Sequence, residues 1–217
     1  GELARRGVTI GGKPVARHRF VNEMESQARP GAAAGVQLAR LASPPLSEIL
    51  EITSKESLNL HAELVLREVG RVRRTTGSRQ AALEELRAFL GEVGVPKDEC
   101  SLVDGSGLSM LDSVAPRALT RLLAYMHASP LREEWLKLLP LAGKEGTLEH
   151  RLEKAPPGSI RAKSGSMTRV NGLAGYATGK QGSTLAFAVL VNNYTAPAAE
   201  IRALVDRICM LLLDEGN

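Results

Sequence analysis

Three apolar runs joined by short polar turns, with an amphipathic helix after them, constrain the fold of this chain more than any other feature. The runs cover 159–163, 170–178 and 184–192, and each has the length and composition of a β-strand. The following segment repeats apolar residues at helical spacing, at Ile201, Leu204, Val205, Ile208 and Leu212. Because short turns join neighbouring strands antiparallel, the pattern predicts an antiparallel sheet with a helix packed on it.

The middle of the chain is predicted to be helical. Pro44 and Pro45 precede a periodic segment that starts at Leu46, and a second segment ends at Gly70. Further helices are predicted after an N-cap at Ser78, from Pro116, and over 136–141. The fold class is therefore α/β in the loose sense, or α+β, with an antiparallel sheet flanked by helices.

The first part of the chain reads differently from the rest. Two short strands are predicted at Val8–Ile10 and Pro14–Phe20, and a loop rich in small residues at 27–36. We divide the chain into residues 1–42, which we expect to continue from an upstream segment, and residues 43–217, which form the main domain.

Composition excludes several classes of function. A hydrophobic fraction of 43% with 24% charged residues is typical of a globular protein, and 3% aromatic residues argues against stacking on single-stranded nucleic acid. The longest apolar run, Leu185–Val191, is too short to span a bilayer. The four histidines and two cysteines lack the spacing of a metal site, so neither a metal nor another cofactor is predicted.

Three stretches carry residues suited to chemistry: 104–119 (DGSGLSMLDSVAPRAL), 162–167 (AKSGSM) and, more weakly, 54–64 (SKESLNLHAEL). In the second, Lys163 offers a fixed positive charge for a substrate carboxylate, and the Ser164 hydroxyl can donate a hydrogen bond to it. Gly165 leaves space for a substrate backbone to lie along the strand as an added strand. Alone, such a tripeptide is common and indicates little.

Together, the stretches resemble a known family. SPPLSEIL with SKESLNLHAE, DGSGLS followed by VAPRAL, and RAKSGSM followed by VNGLAGYA are similar, in order and spacing, to the DacB-like D-alanyl-D-alanine carboxypeptidases, the low-molecular-mass class C penicillin-binding proteins of peptidase family S13. The resemblance runs over nearly the whole chain. It implies part of a penicillin-binding-protein or serine β-lactamase-like domain.

The resemblance also implies roles for individual residues. Lys163 would be catalytic, in a K-T-G box where serine replaces threonine, and Ser164, Gly165 and Ser166 would bind substrate. Ser109 would be the catalytic hydroxyl of the second box, assisting proton transfer to the leaving amine.

Two acidic or hydroxyl positions complete the candidate substrate-binding set. The family has asparagine two or three residues after the second-box serine, whereas here Leu111 and Asp112 follow Ser109. Asp112 would weaken the site unless it points elsewhere, because a carboxylate cannot donate a hydrogen bond. Ser106 is included, although a hydroxyl that holds the DGSG turn is its more ordinary interpretation, and Asn59 is expected to be structural.

The nucleophile box of the family, S-x-x-K, does not occur among the 217 residues. An acyl-enzyme mechanism needs a serine activated by a neighbouring base, so we expect that the chain alone does not hydrolyse peptide by this route. The resemblance implies a C-terminal portion whose missing N-terminal segment supplies that box. Its partners would be peptidoglycan stem peptides ending in D-Ala-D-Ala and β-lactams, in the periplasm or elsewhere in the cell envelope, with no nucleic acid.

Two alternatives stay open from the sequence. The chain could be a non-catalytic protein that binds peptidoglycan peptides or acts as a scaffold with a decayed site, an alternative that Asp112 and the missing box favour. A chance match without any groove is the third interpretation.

Overall fold

The computed structural model describes residues 5–7, 9, 11, 12 and 41–215 of the chain. Contacts divide the chain into two units, Gly1–Arg40 and Leu41–Asn217, and the elements named below belong to the second. The strands predicted at Val8–Ile10 and Pro14–Phe20 and the loop at 27–36 lie outside the described residues, apart from Thr9. The domain boundary after residue 42 stays a prediction.

Three helices open the second unit: α1 (Leu46–Lys55), α2 (Asn59–Arg74) and α3 (Arg79–Glu92). The N-cap predicted at Ser78 is confirmed, since its Oγ accepts a hydrogen bond from the Ala81 N–H at 3.2 Å. The end predicted for α2 at Gly70 is wrong, because the helix continues for another turn. A Cβ at Gly70 would lie 2.9 Å from the Ala82 backbone nitrogen, so the glycine serves the close packing of α2 on α3.

A short hairpin and two helices follow. Strands β1 (Cys100–Ser101) and β2 (Ser113–Val114) pair antiparallel, and α4 (Pro116–Ala128) begins at the predicted proline. Helix α5 (Arg132–Leu138) lies earlier than the predicted 136–141. The chain leaves the helix there because Pro140 has no N–H to donate, and residues 140–142 instead bond to the edge of the sheet.

The predicted antiparallel sheet and its helix are confirmed. Strands β3 (Ile160–Met167), β4 (Val170–Thr178) and β5 (Thr184–Asn192) lie in the order β3-β4-β5, and α6 (Ala198–Glu215) comes last. The strand predicted to end at Lys163 runs on to Met167. Ser164, Gly165 and Ser166 pair with β4, so the turn falls after them, where Arg169 has a φ of 60°.

Both faces of the sheet are covered, and this fixes the orientation of β3. One face packs on α6 through buried residues that include Leu173 and Val205. The other packs on α4 and α5, where the buried Tyr176 hydroxyl donates to the Leu123 carbonyl at 2.7 Å and accepts from Trp135 Nε1 at 2.9 Å. Successive side chains of β3 therefore point alternately toward α6 and toward the α4–α5 side.

Neither a membrane-spanning helix nor a cluster of metal-ligating side chains occurs among the described residues. None of their helices combines the length and hydrophobicity needed to cross a bilayer. No group of three or more His, Cys, Asp and Glu side chains among them is arranged to hold a metal ion.

Candidate functional site

A cleft of about 560 Å³ lies between α1, α2, α5, the 102–107 segment and β3. Most of its lining is apolar, and its polar groups come from three places. These are the turn between α1 and α2, the loop 104–112, and Lys163 on β3. A largely apolar cleft with a few converging polar groups is the usual form of a small-ligand site.

Lys163 is the cation of this cleft. Its Nζ donates hydrogen bonds to Ser57 Oγ at 2.9 Å and to the Ser164 carbonyl oxygen at 2.7 Å. Burial lowers the pKa of Lys163 below its ordinary value of 10.5, because desolvation disfavours the charged form. Within the described part of the chain, no carboxylate forms an ion pair with it. An anionic ligand would therefore supply the counter-charge that the described residues do not.

Ser57 owes its position to an unusual backbone conformation. It lies in the turn between α1 and α2 with a φ of 55°, in the left-handed region that serine seldom adopts. The Leu58 N–H donates to the Thr53 carbonyl at 3.0 Å and closes the turn. Residues held in such conformations cluster at functional sites, where the surrounding structure holds them in place. Here the turn places a serine hydroxyl against the Lys163 ammonium.

The three residues after Lys163 form the open part of β3. Ser164 Oγ donates to Thr147 Oγ1 at 2.7 Å, Ser166 is exposed, and a Cβ at Gly165 would meet no atom within 4 Å. The backbones of Ile160 and Ala162 bond to residues 140–142 at the outer edge of β3. The backbone groups of alternate residues in a strand point to the same edge. The backbone N–H and C=O groups of Ser164 and Ser166 therefore point to this outer edge, where the described residues supply no backbone partner. This edge can accept an extended peptide as an added strand.

Ser109 lies in a turn that uses its own polar groups. Its backbone N–H donates to Asp104 Oδ2 at 3.0 Å, and its Oγ accepts the Leu111 N–H at 3.1 Å. Ser109 does not line the cleft and makes no hydrogen bond with Lys163. The structure thus brings Ser57, rather than Ser109, into contact with the lysine.

Ser106 and Asp112 line the cleft, but each is tied to the backbone. Ser106 Oγ accepts the Leu108 N–H at 3.3 Å, as a hydroxyl that holds the turn does. Asp112 Oδ1 accepts the Val103 N–H at 2.7 Å, and its Oδ2 is buried without a partner among the described residues. Asp112 is therefore held by its own loop.

The loop 104–112 is anchored to α2 by one carboxylate. Glu63 accepts the Gly105 N–H at 2.8 Å and the Nε–H groups of Arg79 and Arg67 at 2.9 and 3.1 Å. The hydrogen bond from Gly105, followed by those from the two arginines, holds the pKa of Glu63 at about 2 against burial. A carboxylate so bound stays ionised and fixes the loop against the cleft wall.

Sequence reasoning missed two residues of this site, Ser57 and Thr147. Ser57 and Asn59 stand at S-x-N spacing in the stretch given least weight, and that spacing was the available signal. Asn59 lines the cleft, and its side-chain amide makes no hydrogen bond with the described residues. Thr147 carried no sequence signal, because its contact with Ser164 arises only from folding.

Comparison with a family model decides the assignment. The model of the D-Ala-D-Ala carboxypeptidase 3 (S13) family matches residues 17–210. The chain belongs to this family. The resemblance inferred from the sequence is thereby confirmed.

Two curated relatives, both carboxypeptidases by name, agree with the match. Carboxypeptidase DacB of Mycolicibacterium smegmatis is 37% identical over 174 residues, which cover 75% of this chain and 37% of that protein. Penicillin-sensitive carboxypeptidase A of Dictyostelium discoideum is 34% identical over 182 residues, covering 78% of this chain and 34% of that protein. The chain thus spans about a third of the length of these two relatives.

Solved structures confirm the fold class. Penicillin binding protein 4 (dacB) of Haemophilus influenzae, complexed with a β-lactam, has a TM-score of 0.69 and 29% identity, covering 79% of this chain and 41% of that one. A class A β-lactamase of Bacteroides cellulosilyticus has a TM-score of 0.61 at 20% identity, covering 78% of this chain and 62% of that one. The S13 chain therefore has a penicillin-binding-protein and β-lactamase-like fold.

Proposed function

We propose that the protein takes part in serine-type D-Ala-D-Ala carboxypeptidase or endopeptidase chemistry on peptidoglycan stem peptides, in the extracytoplasmic cell envelope. The observation that carries the proposal is the contact between Lys163 Nζ and Ser57 Oγ, which line a cleft beside a strand edge that the described residues leave unpaired. A lysine without a carboxylate partner, a nearby hydroxyl and an open edge are the three features needed to hold a peptide by its carboxylate and backbone.

Each group of the site has a role in this proposal. Lys163 binds the terminal carboxylate and polarises Ser57, and the Ser57 hydroxyl passes a proton to the leaving amine. Ser164 donates a hydrogen bond to the carboxylate, while Gly165 and Ser166 present the edge along which the peptide lies. The second-box role first assigned to Ser109 passes to Ser57, with Asn59 as the amide of the same S-x-N box.

The attacking serine is proposed to come from polypeptide outside these 217 residues. In support, none of the serines is followed three residues later by lysine, and the chain spans about a third of its curated relatives. The complete site would then be acylated by β-lactams, as the name penicillin-sensitive carboxypeptidase indicates for the Dictyostelium relative.

Labelling with a fluorescent penicillin tests this proposal. The complete gene product, carrying the S-x-x-K segment, is expected to become covalently labelled, and the 217-residue chain is not. Labelling of the 217-residue chain would contradict the placement of the nucleophile. Failure of the complete product to label would favour the peptide-binding or scaffold alternative. The engagement of Asp112 with Val103 weakens that alternative, since the aspartate need not disturb the bound carboxylate.

A further inference from the structure

Thr147 contacts the site without belonging to any of its motifs. Its Oγ1 lies 2.7 Å from Ser164 Oγ. A hydroxyl offers one donor and two acceptors, so the pair can reverse its direction. When a ligand carboxylate accepts a hydrogen bond from the Ser164 hydroxyl, Thr147 can donate a hydrogen bond to the Ser164 oxygen. Such a chain polarises the Ser164 hydroxyl and strengthens its bond to the ligand.

A close approach of two backbones holds Thr147 in place. The preceding residue, Gly146, has a φ of 57°, and a Cβ there would lie 2.6 Å from the Lys55 carbonyl oxygen. Only glycine allows the 3₁₀ turn Gly146–Leu148 to press so closely on the last turn of α1. Thr147 is thereby fixed to the helix that leads into Ser57.

An ion pair reinforces this approach. The Lys55 ammonium lies 2.6 Å from Glu51 Oε1 and 2.9 Å from Glu145 Oε2, and the Lys55 side chain is only 16% exposed. Burial by itself lowers the pKa of Lys55, but the hydrogen bonds and the negative charges of both carboxylates together outweigh it and raise that pKa above its ordinary value. The ion pair between Lys55 and Glu145 is thus largely shielded from solvent, and it ties the segment before Thr147 to α1.

These contacts close around one edge of β3. Lys163 and Ser164 are successive residues, so their side chains leave the strand on opposite faces. Lys163 reaches Ser57 on one side, and Ser164 reaches Thr147 on the other. The Lys55–Glu145 pair joins the two sides. We call Lys55, Glu145 and Gly146, the residues that hold Thr147 in place, the edge clamp.

From this arrangement we propose that Thr147 is a positioning residue, held by the edge clamp, that orients the Ser164 hydroxyl toward the terminal carboxylate of the ligand. The inference rests on the proposed function, because it presumes that Ser164 binds that carboxylate. Its physical basis is preorganisation: the contact with Thr147 already restricts the Ser164 side chain to one rotamer, so less rotational freedom is lost when the ligand binds. Thr147 itself does not touch the ligand.

The test is equilibrium binding of diacetyl-L-Lys-D-Ala-D-Ala and of its C-terminal amide to the 217-residue chain. Thr147→Val keeps the shape and removes the hydroxyl. It is expected to weaken binding of the acid about tenfold, the effect of losing one favourable hydrogen bond, and binding of the amide less than about twofold. Thr147→Ser restores the hydroxyl and is expected to bind the acid within about twofold of the wild type.

A matched control lies in the same sheet. Thr184 Oγ1 lies 3.2 Å from Thr178 Oγ1 and forms a second pair of threonine hydroxyls. Neither residue lines the cleft. Thr184→Val is expected to leave the affinity for both peptides unchanged. Glu145→Ala removes the ion pair between Glu145 and Lys55. It is expected to weaken binding of the acid about threefold and to change binding of the amide hardly at all.

The outcomes separate the inference from the proposed function. Equal affinity of wild type and Thr147→Val for the acid, or equal loss for acid and amide, overturns the positioning role while the function stands. If the wild-type chain binds neither peptide, the same variants are compared in penicillin acylation of the complete product, where Thr147→Val is expected to be about tenfold slower. If that product is not acylated either, the function fails and the positioning role fails with it.

Discussion

The α1–α2 turn and the loop 104–112 both carry serine hydroxyls, and Ser57 and Ser106 line the cleft, yet the two segments use these hydroxyls differently. In the loop, Ser106 and Ser109 each accept a backbone N–H two residues on, so their hydroxyls stabilise the turn itself. In the α1–α2 turn, a left-handed residue directs the Ser57 hydroxyl to a lysine 106 residues away. The serine hydroxyls of the loop thus bond to their own backbone, whereas the hydroxyl of the α1–α2 turn contacts the lysine and is the one to which we assign the chemistry in our proposal.

The largest expected effect comes from the lysine that distinguishes the two regions. Lys163→Met keeps the length and apolar character of the side chain and removes its charge. Penicillin acylation of the complete product is expected to fall by about a hundredfold or more, since the carboxylate loses the one cation that the described residues supply to the cleft. Lys180→Met serves as the control on an exposed lysine outside the cleft. Acylation of Lys163→Met at the wild-type rate would remove the basis of the proposed site.

Replacing one serine in each region compares them directly. Ser57→Ala is expected to slow acylation about a hundredfold, because proton transfer and the orientation of Lys163 both depend on that hydroxyl. Ser109→Ala is expected to change the rate much less and to act through the stability of its turn. Rates of labelling for the two variants, measured side by side, decide between them. A greater loss from Ser109→Ala would return the second-box role to Ser109.

The anchoring of the loop has its own pH dependence. The folded-state pKa of Glu63 is about 2, below its ordinary 4.5, so the carboxylate contributes stability above pH 4.5 that is lost as pH falls toward 2. At pH 7, Glu63→Gln is expected to lower the free energy of unfolding by on the order of 2 kcal/mol, and by almost nothing near pH 2. Urea unfolding at several pH values measures the difference.

The control for this prediction lies on the same helix. Glu68 is exposed and paired only with Arg71 among the contacts described for it, so Glu68→Gln is expected to change stability little at any pH. A constant difference between wild type and Glu63→Gln across the whole pH range would contradict the anchoring by an ionised carboxylate.

The smallest expected effect tests the self-contained character of the loop. Ser106→Ala removes one hydrogen bond to the Leu108 N–H, which is exposed to water. The expected loss of unfolding free energy is about 0.5 kcal/mol, with acylation of the complete product unchanged. Thermal unfolding and penicillin labelling of the same variant provide the two readouts. A large drop in labelling with unchanged stability would assign Ser106 to ligand binding, as the resemblance first implied.

Periodicity was sufficient to predict most of the fold. The three strands of the sheet and α6 follow from apolar runs and helical spacing, and Ser78 and Pro116 mark the starts of α3 and α4. The errors arose where a glycine was taken to mark the end of a strand or of a helix. Gly165 suggested a turn but pairs with Gly172 on β4, and Gly70 suggested a helix end but packs against α3. In both cases tertiary packing overrode the local preference of glycine.

Only part of the candidate site could be predicted from the sequence. Lys163, Ser164 and Gly165 lie in one tripeptide and could be assigned together. The partner of Lys163 could not, because no local rule links residues 57 and 163, and the polar residues around Ser109 looked like the more complete motif. The S-x-N spacing at 57–59 was the one signal that could have led to it. Thr147 could be found only from the folded chain.

The protonation of Lys163 tests the central contact most directly. Its side-chain NMR signals can be followed through a pH titration of the 217-residue chain, without and then with diacetyl-L-Lys-D-Ala-D-Ala. Burial without a carboxylate predicts a pKa below 10.5 in the free protein. The bound peptide carboxylate favours the charged form and is expected to raise it. A pKa of 10.5 that the peptide leaves unmoved would contradict the assignment of this cleft as the site.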